Sequence, residues 1–215
     1  MTALRSAIAL AVAYATLAVL VAAGAFTGVD QWAVEHLMPT ASFHGGNPGW
    51  LEAAVPLLHQ RFDSPLAVAA DVVTLPAAAL VSLAIVVAAR RVAGLGLVAA
   101  WAAGSVVELL CKHVLVRPGL HDGTFHIAAF DSSFPSGHAL RAVLVAWAVA
   151  RMWPRARAAA IVWVVASVVL LQLAGWHTPT DLAGGLLLGG LAVLALVGGR
   201  AAGARRAARG LLARP

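Results

Sequence analysis

The 215-residue chain has little of what keeps a domain in water. Charged side chains make up 11% of it, against roughly 25% in soluble domains, while 61% is hydrophobic and mean hydropathy is +0.88. That balance excludes a soluble enzyme. A single cysteine, Cys111, excludes an internal disulfide; placed in an apolar run, it reads as a small buried hydrophobe rather than a reactive thiol. Among the 8 histidines no pair has H-x-x-x-H or H-E-x-x-H spacing, and His121 and His126 stand five apart in a loop, so neither metal nor cofactor is expected. The length leaves no room for a separate soluble module, and residues 1–215 read as one domain.

What fills the chain is apolar sequence. Six stretches, near 6–27, 65–89, 92–115, 137–152, 158–176 and 181–199, reach or approach the roughly 20 residues needed to cross a hydrocarbon core about 30 Å thick. The expected fold class is all-α, a polytopic membrane protein with six transmembrane helices. The first stretch, with Arg5 ahead and "AAGA" at its end, has two readings, a secretory signal or a retained helix. Its apolar region exceeds the usual 7–15 residues of a signal, which favours retention.

The +6 formal charge resolves by position. Arg5, Arg90, Arg91, Arg151, Arg155, Arg157, Arg200, Arg205, Arg206, Arg209 and Arg214 lie at the N-terminus, between spans two and three, between spans four and five, or in the tail, with no Asp or Glu among them. The positive-inside bias makes these segments cytoplasmic. The basic excess is therefore a topology signal with contact to anionic headgroups, not a nucleic-acid surface. Arg61, Lys112, Arg117 and Arg141, all nine carboxylates and all eight histidines then belong to outer loops or outer helix ends. Residues 28–64, with Trp32, Trp50 and "FHGGNPGW", read as an interfacial helix and a loop on the membrane, the aromatics serving as headgroup anchors or as a wall of the substrate's path. Residues 116–136 form a second outer segment rich in turn formers. The basic tail, 200–215, reads as a solvated cytoplasmic end.

Three polar clusters fall at outer helix ends, where ionisable groups near membrane depth point to function. The first, "ELLCKHVLVRP", sets Glu108 and Lys112 at i,i+4 with Arg117 beyond. Glu108 reads as the partner that holds Lys112. In "FPSGHALRA", Ser136 and Gly137 open a helix; Ser136 is an N-cap, or its surroundings form an anion site on free N–H groups and the positive dipole end. His138 and Arg141 follow on one face. The third cluster, "GWHTPTD", places His177 four residues before Asp181, the spacing at which a carboxylate orients an imidazole. It also fits a helix start with Thr178 as N-cap, Pro179 at N1 and an acid at N3.

Together these residues resemble the type 2 phosphatidic acid phosphatases, the PAP2 superfamily, whose motifs run Lys-x6-Arg-Pro, Pro-Ser-Gly-His and Ser-Arg-x5-His-x3-Asp. Pro135 to His138 match the second completely, and His177 with Asp181 match the end of the third. Two departures stand out. Only four residues separate Lys112 from Arg117, and Leu170 and Leu171 occupy the Ser-Arg positions. The resemblance implies a metal-independent phosphatase of the plasma (inner) membrane, with both termini cytoplasmic and the active site on the outer face. It implies His177 as nucleophile forming a phosphohistidine, Asp181 orienting it, and His138 as acid and then base. Lys112, Arg117, Ser136 and Gly137 would hold phosphate, with Arg141 replacing the missing arginine. The implied partner is a lipid phosphate in the bilayer: a polyprenyl (di)phosphate, phosphatidic acid, phosphatidylglycerol phosphate or a prenyl-linked sugar phosphate. A lipid phosphotransferase, a catalytically dead lipid-phosphate binder and a transporter remain as rival classes.

Overall fold

The computed structural model describes residues 2–37, 75–121, 126–127, 133–173 and 176–212. The segment 38–74, which holds Trp50, "FHGGNPGW" and the start of the second apolar stretch, lies outside the described residues, as do 122–125 and 128–132 of the second outer segment.

Seven helices are described: α1 Thr2–Ala22, α2 Thr27–Leu37, α3 Leu75–Ala93, α4 Leu95–Val114, α5 Gly137–Met152, α6 Arg157–Leu173 and α7 Pro179–Leu212. A two-residue antiparallel pair, β1 Leu120–His121 with β2 His126–Ile127, follows α4 and sets Leu120 opposite Ile127. Among the described residues, four stretches are long and apolar enough to cross a membrane: Leu4–Ala22, Leu95–Val114, Pro154–Leu173 and Pro179–Gly199. The fourth expected stretch, now α5, has 16 residues and so a length of about 24 Å. Helix α7 continues through the basic tail to Leu212, an Ala- and Arg-rich continuation with good intrinsic helix propensity.

The boundaries follow local chemistry. Gly24 ends α1 with φ 74°, and the bonds Ala25 N to Leu20 O and Gly24 N to Val21 O close a Schellman turn that redirects the chain into α2. A side chain at Gly24 would also meet Pro118 Cγ at 2.9 Å. Gly94, with φ 76°, is the single residue between α3 and α4. Pro118 disfavours helix at Arg117 and so lets α4 stop at Val114. Ser136 caps α5 by accepting from Ala139 N, and Pro154 closes it at Trp153.

Helix α5 is the axis of the bundle, packed against α3, α4, α6 and α7, while α1 lies along α7. Its Leu140, Leu144 and Ala148 form a core with Val86, Ala89, Leu97 and Leu188; Ala139, Leu171 and Leu182 form a second cluster. By contrast Ile8, Val12 and Val19 on α1 and Ile161, Val162 and Val165 on α6 point outward, the pattern of helices whose solvent is hydrocarbon. Small residues permit the closest approach. A Cβ on Gly185 would lie 2.3 Å from Ser136 O, so only glycine lets α7 pass the start of α5. Helix directions put the end of α4 and the starts of α5 and α7 at one end of the bundle. The Gly94 turn and the Pro154–Ala156 turn, with Arg90, Arg91, Arg151 and Arg155, lie at the other.

Candidate active site

Two helix N-termini meet at the polar end. Ser136 N donates to Asp181 O at 2.9 Å, tying the first residue before α5 to the first turn of α7. Each N-terminus carries the equivalent of roughly half a positive charge. At α7 the sequence alternatives coexist in a capping box: Asp181 N donates to Thr178 Oγ1 at 3.4 Å and Thr178 N to Asp181 Oδ2 at 3.0 Å. At α5 the Ser136 hydroxyl takes Ala139 N at 3.2 Å, while the Gly137 N–H, at N1, has no acceptor within the helix.

His138 and His177 face one another across this junction. Nδ1 of His138 lies 3.3 Å from Nε2 of His177, both side chains are buried, and Trp176 packs edge-on against His138 with centroids 5.8 Å apart. On its far side His177 Nδ1 is 3.7 Å from Asp181 Oδ2, beyond hydrogen-bond length, and has no hydrogen-bond partner among the described residues. Oδ2 itself accepts from Ser133 Oγ at 2.6 Å. The expected partners, imidazole and carboxylate, thus face each other at a length beyond a hydrogen bond.

The three cations are each held by a carboxylate. Lys112 Nζ donates to Glu108 Oε1 at 2.8 Å, the expected i,i+4 pair. Arg141 Nη2 lies 2.8 Å from Glu108 Oε2, a charge contact off the hydrogen-bonding line, and donates to Ser105 Oγ at 3.3 Å. Its Nε and Nη1 are buried without hydrogen-bond partners among the described residues. The Glu108 carboxylate presses on Gly137, where a Cβ would lie 2.0 Å from Oε1 and 2.3 Å from Arg141 Nη1. Gly137 is therefore required by close approach, and Glu108, Lys112, Arg141 and Gly137 form one patch beside the histidines.

Arg117 is placed differently. Its Nη1 donates to Asp181 Oδ1 at 3.0 Å and to Thr178 Oγ1 at 3.2 Å, and its Nη2 to Asp30 Oδ2 at 2.6 Å. Both terminal nitrogens of the residue expected to bind phosphate are committed to carboxylates. Asp30, fully buried on α2, also accepts from Thr180 N at 3.2 Å and from the Thr180 hydroxyl at 2.5 Å. Neither Asp30 nor Ser133 stands out in the sequence. The signal available for Asp30 was an acid at the end of a membrane-length run, a costly position without a partner.

The family model of the PAP2 superfamily matches residues 94–202. The chain belongs to the PAP2 superfamily. No curated protein and no solved structure matches it. The matched span covers α4 to α7 and so holds every residue named above except Asp30, which reaches this PAP2 core from outside. Within it, Leu171, at the arginine position of the third motif, is buried against Ala139 and Leu182. The PAP2 motif arginine is replaced there by a packing residue. The nearby buried guanidinium with spare donors is Arg141. PAP2 membership brings a phosphatase-type activity on phosphate esters, and the apolar helices fit a membrane.

Proposed function

We propose that this protein hydrolyses a lipid phosphate or diphosphate monoester at the outer membrane face, without metal, through a phosphohistidine on His177. The observation that carries the reading is the buried pair His138 and His177 at 3.3 Å, set where two helix N-termini converge beside Asp181. With Nδ1–H of His177 turned toward Asp181, Nε2 presents a lone pair, and His138 Nδ1–H donates to it in the resting site. Phosphorus enters between the rings and replaces that contact. The Nε2–P bond forms as the P–O bond to the lipid breaks, and His138, entering the step as an imidazolium, gives a proton to the leaving oxygen and is left as the neutral imidazole. A water that surrenders its proton to His138 then attacks phosphorus, and the P–N bond breaks.

Gly137 N–H and the unpartnered Nε and Nη1 of Arg141 supply donors for phosphate oxygens, with Lys112 adding charge. The Ser136 hydroxyl, already on Ala139 N, keeps its own hydrogen for donation. Glu108 braces Lys112 and Arg141 from two helices. Helices α3 and α5 complete a six-span bundle, with the arginine-rich turns and both termini on the cytoplasmic side of the plasma membrane. A phosphate at headgroup level with apolar walls below suits an amphiphile such as a polyprenyl (di)phosphate, phosphatidic acid, phosphatidylglycerol phosphate or a prenyl-linked sugar phosphate.

Purified protein, assayed on that panel with EDTA present, is expected to release inorganic phosphate, and His177→Ala is expected to release none. A requirement for added metal refutes the mechanism. Phosphoryl delivery to an alcohol without phosphate release identifies a transferase, and phosphate-lipid binding without turnover identifies a binding protein.

A further inference from the structure

Asp30 lies on α2, outside the matched family span, yet it is fully buried and uses its carboxylate on three donors: Arg117 Nη2, Thr180 N and the Thr180 hydroxyl. Its distance from the reacting atoms is set by Arg117, which stands between it and Asp181. A cap on α7 needs only an acceptor, and an uncharged one serves. The charge of Asp30 answers a different need. Arg117 touches Asp181 at 3.0 Å, and an arginine is always protonated, so alone it cancels the charge of the carboxylate that faces His177. With Asp30 on the other side of the guanidinium at 2.6 Å, the three-residue chain keeps a net charge of minus one.

That remaining charge matters at one stage of the reaction. When His177 Nε2 bonds to phosphorus, its ring, protonated at Nδ1, becomes cationic, and Asp181 Oδ2 lies 3.7 Å from Nδ1. We propose that Asp30 is a positioning residue that neutralises Arg117, leaving Asp181 free to stabilise the cationic phosphohistidine. Arg117 is then a clamp for the carboxylate rather than a ligand of phosphate. The proposal rests on the phosphohistidine reading above. Asp30 touches no substrate and should therefore alter the formation of the intermediate and not the binding of phosphate.

The test uses full-length protein in detergent and compares wild type, Asp30→Asn and the double variant Asp30→Asn/Arg117→Gln. Asparagine retains an acceptor for Thr180 N and removes the charge together with the oxygen that Arg117 and the Thr180 hydroxyl share. Asp30→Asn is expected to lower kcat and the rate of phosphoenzyme formation by about 10–100-fold, the scale of losing a group that orients an active-site ligand. KM should stay unchanged and inhibition by orthovanadate should persist, which also reports a folded site. The double variant restores an uncompensated Asp181 and, assayed below the lowered melting temperature that loss of Arg117 brings, should recover kcat toward wild type. Purely structural roles for the two residues predict instead a double variant no better than the single one.

An unchanged kcat in Asp30→Asn, a double variant worse than the single, or loss of orthovanadate inhibition in both variants overturns the proposal. Wild-type turnover in each of those cases leaves the phosphatase reading standing. Absence of wild-type turnover refutes that reading, and this proposal with it.

Discussion

Replacing Arg117 with glutamine separates two uses of the same residue. As a phosphate ligand its loss would weaken substrate binding and leave the fold alone. The structure instead buries it, 5% exposed, between Asp30 and Asp181, which are both fully buried. Removing one partner of a buried ion pair costs about 3–5 kcal/mol, because the charge left behind stays desolvated. Here one guanidinium serves two carboxylates, so the upper part of that range applies. Against a typical stability of about 5–15 kcal/mol, that is a third or more of the total. In population it is an increase of roughly two to four powers of ten in the unfolded fraction, at one power per 1.4 kcal/mol.

Arg117→Lys should fare little better, since a single ammonium cannot span Asp181 Oδ1, Thr178 Oγ1 and Asp30 Oδ2 as the guanidinium fork does. Tryptophan fluorescence of the detergent-solubilised protein during thermal unfolding reads this directly, using any of the 7 tryptophans. Both variants are expected to melt well below wild type. Melting at the wild-type temperature, with only a raised KM, would refute the clamp and return Arg117 to the phosphate.

Two further outcomes follow from the same geometry. Arg141→Ala is expected to lower kcat by about 10²–10³-fold, the effect of losing one preorganised donor to a developing oxyanion, and unchanged turnover would remove Arg141 as the stand-in for the missing motif arginine. Gly185→Ala would place a Cβ 2.3 Å from Ser136 O and 2.8 Å from Ala139 Cβ, forcing α7 away from α5; a loss of at least about 1–3 kcal/mol in thermal unfolding is expected, together with lower kcat, because the two histidines ride on these two segments.

Much of the site is legible in sequence because it is local. Glu108 and Lys112 are one helical turn apart, so their pairing follows from helix geometry alone. Thr178, Pro179 and Asp181 announce a capped helix start, and the box forms as the spacing requires. Ser136 is the N-cap that its place before Gly137 implies. The partners of Arg117 were not legible for the opposite reason. Its partners Asp30 and Asp181 are 87 and 64 residues away, and nothing near Arg117 in the chain distinguishes a guanidinium aimed at phosphate from one aimed at buried carboxylates. For Asp30 the position of an acid at the end of a membrane-length run signalled that it needs a partner, but not which one.

Composition and periodicity by themselves determined a helical chain for a membrane, since with 61% hydrophobic residues the backbone has to satisfy its hydrogen bonds within helices. Local motifs determined where α5 and α7 begin and that a histidine stands at each start. Only the tertiary structure decided which cation answers which carboxylate: Lys112 and Arg141 to Glu108, Arg117 to Asp30 and Asp181. Buried charges have no water to screen them, so each takes the partner that packing brings within about 3 Å, whatever its distance along the chain.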